Sequence, residues 1–314
     1  MKAIVFPGQG SQFVGMGKDL FDNFPETKII FEEVDDILNQ KLSDLIFNGP
    51  EEELMLTENA QPAIMLIGMV IIDILKKRNF KVQDFADLTA GHSLGEYTAL
   101  AAIEGLTLAE TARLLKIRGK AMQESFPKNK GAMAAIIGLN FNEVEEVLSE
   151  KKYKYVCQIA NDNAPGQVVI SGEGESVEQV IESLKSKGAK KIVKLPVTAP
   201  FHCDLMGPAK EIMRIELKNT EFSDLLIPII QNVSLEPTLD REVLKENLVK
   251  QVTETVRWRE TMNKFVENGV TDVIEIGAGN VLTNLSKRNA PNLQRFTLNS
   301  KESLENFIKD IESV

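Results

Sequence analysis

The sequence predicts an α/β fold in which a parallel β-sheet is assembled from both ends of the chain, with a smaller unit inserted between them. Apolar strand patterns alternate with helix patterns in both terminal parts, an order typical of a parallel sheet covered by helices on both faces. Between them the order becomes β-α-β-β-α-β, which is the ferredoxin-like arrangement. The length of 314 residues exceeds one typical domain and accommodates both units.

The composition is that of an ordinary soluble globular protein, with 43% hydrophobic and 26% charged residues. A net charge of −10 argues against a nucleic-acid partner. The only two cysteines, Cys157 and Cys203, suit a reducing compartment and provide no disulfide framework. The chain enters its first strand without a secretory signal. We therefore expect a cytoplasmic protein.

The N-terminal part begins with an apolar run, Lys2–Phe6, that predicts a buried first strand. A glycine-rich loop, Gly8–Gln12, follows, but the next glycines are Gly15 and Gly17, so the spacing is not that of a dinucleotide-binding loop. Three interpretations of this loop stay open: a plain turn, a phosphate cradle, or backbone N–H groups directed at an active site. Helical patterns then occupy residues 27–38, 43–46 and 62–77.

The most apolar segment, Pro62–Leu75, is interpreted as a buried helix. It is short for a bilayer and is followed by two lysines. Because proline is tolerated in the first turn of a helix, we expect this helix to begin at Pro62. The segment therefore predicts no membrane association.

The stretch Gly91-His92-Ser93-Leu94-Gly95 predicts a tight turn between a strand at 85–90 and a helix at 96–103. The turn would strain the serine backbone, and a Cβ at either glycine would collide with it. The free N–H groups at the start of the helix would lie beside the Ser93 hydroxyl. This arrangement is typical of a hydrolase-like α/β domain, and an ordinary glycine-rich turn is the alternative.

One charge is out of place on the next predicted helix, Leu106–Gln123. Arg118 is the only charged residue on a stripe of apolar and small residues spaced by three and four. An arginine on such a stripe either extends its charged end to the rim or requires a buried anion, because an unpaired buried charge is very costly. A salt bridge to an acid of the fold and a site for a substrate carboxylate are both compatible with the pattern.

Residues 128–197 are predicted to form the inserted ferredoxin-like unit, and 1–127 with 198–314 the hydrolase-like domain. Within the insert we expect strands at 131–139, 155–160, 167–171 and 191–197, a turn at 161–166, and helices at 142–151, capped by Asn142, and 176–187. After it we expect helices at 204–217, 242–251, 259–268, 281–288 and 301–312, and strands at 227–233, 272–276 and 296–299.

Only two histidines are available to activate the serine, His92 and His202. A serine hydroxyl is a poor nucleophile unless a base takes its proton. His92 adjoins Ser93 and would point to the opposite side, which leaves His202, just after the insert, as the candidate base. Cys203 would face elsewhere and is interpreted as a small buried residue. No HExxH motif or cysteine–histidine cluster exists, so no metal site is predicted.

Three segments together resemble a known family. They are the stretch from Phe6 to Gln12, the stretch from Gly91 to Tyr97, and Phe201-His202 followed by Gln251 and Arg257-Trp258. This combination resembles the malonyl-CoA:acyl-carrier-protein transacylases of fatty acid synthesis, and the resemblance extends over nearly the whole chain.

The resemblance implies a role for each matching residue. Ser93 would be the acylated nucleophile and His202 its base, with the backbone N–H groups of Gln9 and Leu94 forming the oxyanion hole. Further roles are implied for four more residues: Arg118 would bind the malonyl carboxylate, Gln61 would assist it, the main-chain carbonyl of Gln251 would orient His202, and Phe201 would disfavour α-branched acyl groups. Steric selection of this kind is worth about 1–3 kcal/mol. Asp162, an acid between serine and histidine in sequence, is the alternative orienting group.

The implied reaction passes a malonyl group from malonyl-CoA to Ser93 and then to the pantetheine thiol of an acyl carrier protein. Malonyl-CoA is a substrate, and no cofactor is expected. We also expect a monomer. A serine esterase or thioesterase is the main alternative, and it would have no need of Arg118; a non-catalytic scaffold is another. Five lysines could form a basic dock for the carrier protein, although a solvated face is the simpler interpretation: Lys185, Lys187, Lys190, Lys191 and Lys194.

Overall fold

The computed structural model describes residues 1–150, 155–197 and 199–312. Its larger sheet has six strands: β1 (Lys2–Phe6), β2 (Leu88–Gly91), β7 (Ile229–Ile230), β8 (Pro237–Thr238), β9 (Asp272–Ile276) and β10 (Gln294–Leu298). The strands lie in the order β10-β9-β1-β2-β7-β8, and every pairing is parallel except that of β7 with the edge strand β8. This is the parallel sheet that the strand–helix alternation predicts.

Helices cover both faces of this sheet. They are α1 (Lys18–Asn23), α2 (Lys28–Leu38), α3 (Leu42–Asn48), α4 (Glu51–Leu54), α5 (Thr57–Lys77), α6 (Gly95–Ala102), α7 (Leu108–Glu124), α10 (Gly207–Lys218), α11 (Arg241–Gln251), α12 (Trp258–Glu267), α13 (Val281–Asn289) and α14 (Lys301–Glu312). Successive side chains of the central strand β1 enter different cores: Ile4 and Phe6 join one cluster, and Ala3 and Val5 the other. Both faces are therefore buried, as a parallel sheet requires.

The smaller unit contains strands β3 (Gly131–Ile137), β4 (Cys157–Ala164), β5 (Gln167–Glu173) and β6 (Lys191–Lys194), with helices α8 (Phe141–Ser149) and α9 (Gly174–Lys187). Its strands are antiparallel in the order β4-β5-β3-β6. Numbered within the unit this order is 2-3-1-4, so the predicted ferredoxin-like arrangement is confirmed. The unit has a core of its own, to which Ile136, Val144 and Ile170 contribute. The predicted boundary at residue 198 lies outside the described residues.

The two units are joined by backbone hydrogen bonds as well as by the chain. The Val256 N–H donates to the Ala160 carbonyl at 2.8 Å, and the Asp162 N–H donates to the Val256 carbonyl at 2.9 Å. The buried Asp162 also forms an ion pair with Arg259 at 2.8 Å. These contacts fix strand β4 against the segment that leads into α12, and a cleft lies between the two units.

Several element boundaries differ from the predictions. Helix α5 begins at Thr57, so Pro62 lies inside the helix rather than in its first turn. A proline there removes a single backbone bond, to the carbonyl four residues earlier, and the burial of almost the whole helix outweighs that loss. Helix α8 is capped by Asn140, not Asn142, and it ends at Ser149. The predicted last residue of that helix, 151, lies outside the described residues.

The polar stretch predicted to be a turn at 161–166 is mostly strand. Strand β4 continues to Ala164, and the reversal occurs at Pro165 and Gly166, whose φ is +67°. The polar side chains are accommodated because they find partners across the cleft: Asp162 pairs with Arg259, and the Asn163 side-chain oxygen accepts from His92 Nε2. The strands predicted at 85–90, 191–197 and 227–233 are also longer than the observed strands β2, β6 and β7.

Among the described residues, α5 is long and apolar enough by length and composition to cross a membrane. In this fold, 89% of its most apolar window is buried inside the protein. Burial of this kind is typical of the core helix of a soluble protein, and the helix is weak evidence for a membrane span.

Candidate active site

The turn Gly91-His92-Ser93-Leu94-Gly95 joins β2 to α6, as the sequence predicts. Ser93 has a φ of 53°, in the left-handed region that side chains rarely adopt. A Cβ on Gly91 would lie 1.9 Å from the Gly95 carbonyl carbon, and one on Gly95 would lie 2.2 Å from the Phe6 oxygen. Both contacts are with backbone atoms that cannot move aside, so the turn requires glycine at both positions.

The turn brings Ser93 to His202 across 109 residues of sequence. Ser93 Oγ lies 2.8 Å from His202 Nε2, and His202 Nδ1 lies 2.8 Å from the main-chain oxygen of Gln251. A carbonyl oxygen can only accept a hydrogen bond, so we assign the proton to Nδ1 and leave Nε2 free to accept from the serine hydroxyl. His202, like Ser93, has a positive φ, 56°.

The environment of His202 keeps its imidazole neutral. Its side chain is buried, and burial, followed by the positive charge of Arg118, lowers its pKa to about 3. A neutral imidazole is the form that can accept a proton.

Arg118 is 1% exposed and is held by neutral groups. Its Nη1 donates to Gln61 Oε1 at 2.8 Å, and its Nη2 donates to Gln251 Oε1 at 2.8 Å and to Ser93 Oγ at 3.2 Å. Throughout residues 1–150, 155–197 and 199–312, no carboxylate forms an ion pair with this guanidinium. The salt-bridge interpretation of Arg118 is therefore wrong, and within the part of the chain that the structure describes its charge has no direct counterion.

The glycine-rich loop after β1 reaches the same place. Gln9, Gly10 and Gln12 line a cavity of about 200 Å³ that Ser93 and Leu94 also line. Within the described part of the chain, neither the Gln9 N–H nor the Leu94 N–H donates to a protein acceptor. Of the three interpretations of this loop, the one with backbone N–H groups directed at an active site agrees best with this geometry.

The remaining predicted site residues also line this cavity or support its walls. Gln61, Phe201 and Arg118 line it, and Phe201 is 6% exposed. Gln251 is fully buried behind it, where its side chain contacts Arg118 and its main chain contacts His202. The structure therefore brings all eight predicted residues together: Gln9, Gln61, Ser93, Leu94, Arg118, Phe201, His202 and Gln251.

Three residues that the sequence analysis weighed and set aside have other partners. The Asp162 carboxylate accepts from Arg259 Nε at 2.8 Å, so it does not orient His202. His92 Nε2 lies 2.9 Å from Asn163 Oδ1, and its ring packs against Trp258. Cys203 is buried with its thiol directed at the Pro200 carbonyl, and burial raises its pKa to about 11.

Sequence reasoning missed two polar residues beneath the turn, Asn232 and Glu96, both fully buried. A signal for each was available. Glu96 is the one acid of the apolar helix α6, so it is an anomalous charge there in the same way as Arg118 is on its apolar stripe. Asn232 follows the end of β7, and polar residues at the carboxyl ends of parallel strands are candidates for a site. Met122, Met133 and Asn161 also line the cavity, and no comparable signal in the sequence marks them.

Known proteins share this fold and its sequence over nearly the full length. Residues 3–310 match the family model described as "Acyl transferase domain". The chain is 40% identical over 311 residues to the malonyl CoA-acyl carrier protein transacylase of Bacillus subtilis (strain 168), which covers 99% of this chain and 97% of the relative.

Solved structures agree with the sequence relatives. The acyl-carrier-protein-S-malonyltransferase from Bartonella henselae superimposes with a TM-score of 0.96 at 46% identity, covering 99% of each chain. A malonyl-transacylase solved in complex with a type II polyketide acyl carrier protein superimposes with a TM-score of 0.95 at 38% identity, covering 98% of this chain and 99% of the other. The chain therefore belongs to the acyl transferase family and, within it, to the malonyl-CoA:acyl-carrier-protein transacylases.

Proposed function

We propose that this protein transfers the malonyl group from malonyl-CoA to the pantetheine thiol of an acyl carrier protein, through an ester on Ser93, and so supplies extender units for fatty acid synthesis. The observation that carries the proposal is the position of Ser93 Oγ, 2.8 Å from His202 Nε2 and 3.2 Å from Arg118 Nη2 in one cavity. The names of the relatives support the substrate, and the carrier-protein complex supports the partner.

In the first half-reaction, His202 Nε2 takes the hydroxyl proton while Ser93 Oγ bonds to the malonyl carbonyl carbon. The oxygen of the tetrahedral intermediate accepts hydrogen bonds from the Gln9 and Leu94 N–H groups. Removal of one such donor in comparable enzymes costs about 10²–10³-fold in rate. The intermediate then collapses, the carbon–sulfur bond breaks, and coenzyme A leaves with the proton from His202.

The second half-reaction reverses the first with a different thiol. The pantetheine thiol of the carrier protein gives its proton to His202 and attacks the ester carbon, the same N–H groups stabilise the oxyanion, and the carbon–oxygen bond to Ser93 breaks. Ser93 recovers its proton from His202. The main-chain carbonyl of Gln251 keeps the imidazole in the correct tautomer throughout and stabilises the imidazolium when it forms.

Arg118 supplies the selectivity for a dicarboxylic acyl group. Gln61 and Gln251 fix its guanidinium through neutral acceptors, so the substrate carboxylate becomes its first counterion. Phe201 restricts the space beside the base and disfavours α-branched acyl groups.

We extend the proposal to the organisation of the protein. It uses no cofactor or metal, works as a monomer in the cytoplasm without membrane association, and divides at residues 127 and 197 into its two units. Both cysteines are free, which suits the cytoplasm. Three of the five lysines proposed as a dock already pair with glutamates, which favours a solvated face: Lys185 with Glu182, Lys187 with Glu146, and Lys194 with Glu178.

The test is the mass of the intact protein after mixing with malonyl-CoA. The wild type is expected to gain one malonyl group, and Ser93→Ala none, because the acyl acceptor is gone. Ser171→Ala is the matched control: this serine is also buried, 0% exposed against 9% for Ser93, but its hydroxyl faces Cys203 rather than the cavity. Addition of carrier protein bearing pantetheine should then remove the group from the enzyme and place it on the carrier.

Two results would contradict the proposal. Malonylation of Ser93→Ala, or none in the wild type, would exclude Ser93 as the acyl acceptor. Loss of the malonyl group to water as fast as to the carrier would indicate the esterase alternative, in which transfer to a thiol has no advantage.

A further inference from the structure

The backbone of Ser93 is held by side-chain amides from distant parts of the chain. The Ser93 N–H donates to Asn232 Oδ1 at 2.9 Å, and Asn232 Nδ2 donates to the Gly91 carbonyl at 2.8 Å. One amide therefore bridges the turn from the residue before His92 to the residue after it. On the other side of Ser93, its carbonyl accepts from Gln251 Nε2 at 2.9 Å.

The turn needs this support because its conformation is costly. A non-glycine residue with a φ near +53° carries about 1–3 kcal/mol of backbone strain. Asn232 is fully buried. Without it, the Gly91 carbonyl and the Ser93 N–H would lose this hydrogen-bond partner at a place that is shielded from water. A single side chain thus satisfies two buried backbone groups in the strained conformation.

Asn232 is itself fixed to the helix that follows the turn. Its backbone N–H donates to Glu96 Oε1 in the first turn of α6, and the neighbouring Gln231 Nε2 lies 3.4 Å from Glu96 Oε2. Asn247 Nδ2 donates to Gln231 Oε1 at 2.9 Å and extends the network away from the turn. Burial raises the pKa of Glu96 to about 8, and either protonation state leaves an oxygen to accept the Asn232 N–H.

We propose that Asn232, anchored by Glu96, is a positioning residue that holds Ser93 Oγ in line with His202 Nε2 and keeps the Leu94 N–H directed into the cavity. The inference rests on the proposed role of Ser93 as nucleophile. Asn232 is absent from the cavity lining found among the described residues, so its effect falls on the rate of attack and not on the binding of the acyl group.

The test compares Asn232→Ala with Asn247→Ala, which removes the same amide from the far end of the same buried network, beyond Glu96 and Gln231. Each variant is assayed for kcat and KM with malonyl-CoA, for thermal unfolding, and for the rate of labelling by phenylmethanesulfonyl fluoride. In that labelling Ser93 Oγ bonds to sulfur, fluoride leaves and His202 takes the proton, so the reagent reports the reactivity of the serine without a carboxylate for Arg118 to bind.

Asn232→Ala is expected to lower kcat and the labelling rate together by about 10²-fold, the cost of misplacing a reacting atom by about 1 Å, with KM within about twofold of the wild type. Asn247→Ala is expected to keep both rates within about threefold although it also loses a buried hydrogen bond. If Asn232→Ala does not fold, Asn232→Asp keeps the acceptor for the Ser93 N–H, loses the donor to Gly91, and should label about tenfold more slowly than the wild type.

Wild-type labelling rates in a folded Asn232 variant would overturn the inference, as would rate losses that follow the loss of thermal stability equally in the Asn232 and Asn247 variants. These outcomes differ from failure of the proposed function, because there the wild type itself would gain no malonyl group on Ser93.

Discussion

The two sides of the cavity are built in different ways. The Ser93 side, comprising Ser93, Leu94 and His202, is fixed largely by the backbone: two residues with positive φ and two glycines against which the chain packs without space for a Cβ. The Arg118 side, comprising Arg118 with Gln61 and the Gln251 side chain, is fixed by side chains from helices α5, α7 and α11. The comparison shows that backbone shape sets the position of the Ser93 hydroxyl, whereas hydrogen bonds to neutral side chains set the position of the Arg118 guanidinium and leave its charge available for an anion.

We expect the largest loss of activity from a substitution on the Ser93 side, where the tightly packed backbone leaves no space for a side chain. In Gly95→Ala the new methyl group would lie 2.2 Å from the Phe6 oxygen, and neither backbone can move without displacing the turn. Displacement of the hydroxyl and of the Leu94 N–H each costs about 10²-fold, so we expect malonylation of Ser93 to fall by about 10⁴-fold. The same substitution should lower the Tm, since overpacking against backbone typically costs about 1–3 kcal/mol. Acylation rates and thermal unfolding measure both effects.

Gly207→Ala is the matched control for this prediction. Gly207 begins helix α10, and a Cβ there would meet nothing within 4 Å. This variant should retain wild-type rates and stability. Near-normal acylation by Gly95→Ala would mean that the backbone does not fix the Ser93 side.

The next effect should be confined to the Arg118 side. Arg118→Ala removes the charge-assisted hydrogen bonds to the substrate carboxylate, and we expect kcat/KM for malonyl-CoA to fall by about 10²–10³-fold. Acetyl-CoA, which has no carboxylate, should lose little or gain, so that the preference for malonyl over acetyl groups collapses. Steady-state kinetics with the two donors measure this ratio.

Arg113→Ala serves as the control on the same helix, because Arg113 is a partly exposed residue that pairs with Glu216 at the surface. It should leave the preference unchanged. An equal loss for both donors in Arg118→Ala would indicate that the guanidinium supports the Ser93 side rather than the acyl group.

The smallest effect is electrostatic and arises because burial and the charge of Arg118 both lower the pKa of His202. Burial and then Arg118 lower the pKa of His202 to about 3, and the base is active only when neutral. Since a lowered pKa favours the neutral form, kcat/KM for malonyl-CoA should stay nearly constant from pH 6.5 down to pH 5. An ordinary histidine with a pKa of about 6.5 would cause about a sixteenfold loss between pH 6.5 and pH 5.

The pH window keeps the nearby Glu96 in one protonation state. Glu96, with a pKa raised to about 8, remains protonated throughout, and burial lowers the pKa of His92. A decline in kcat/KM with a midpoint near pH 6.5 would show that Arg118 and burial do not depress the His202 pKa in the free enzyme, to which kcat/KM refers.

Patterns within short segments predicted most of the fold. The strand at Asp272–Ile276 and the helix at Lys301–Glu312 match the prediction, because uninterrupted apolar runs and clear helical periodicity require no distant partner. Errors concentrated where distant contacts override local preference. Asn161 and Asp162 have the composition of a turn, yet they lie in β4 because the Val256 backbone and Arg259 satisfy them across the cleft.

The site residues likewise divide into those that the local sequence predicts and those that depend on distant contacts. The turn around Ser93 was predictable because its glycine spacing is a local backbone requirement, and Arg118 because a charge on an apolar stripe is anomalous by itself. His202 followed from the scarcity of histidines. The role of the Gln251 side chain could not be predicted, since a glutamine on a polar helix has no anomaly until the fold buries it against Ser93. Asn232 had one local signal, its place after the end of β7, but its contact with the Ser93 backbone depends on the fold.

The sequence by itself determined most of the order of strands and helices, though not the short elements α1, α4 and β8. It also determined the turn that exposes a serine hydroxyl and the identity of a family, because each depends on residues close together in the chain or on several motifs in combination. The tertiary structure alone decided that Arg118 has no direct counterion among the described residues and that a backbone carbonyl, not Asp162, accepts from His202. Both depend on which of many chemically equivalent groups lies within about 3 Å, the range of a hydrogen bond, and only the packing of distant segments sets that distance.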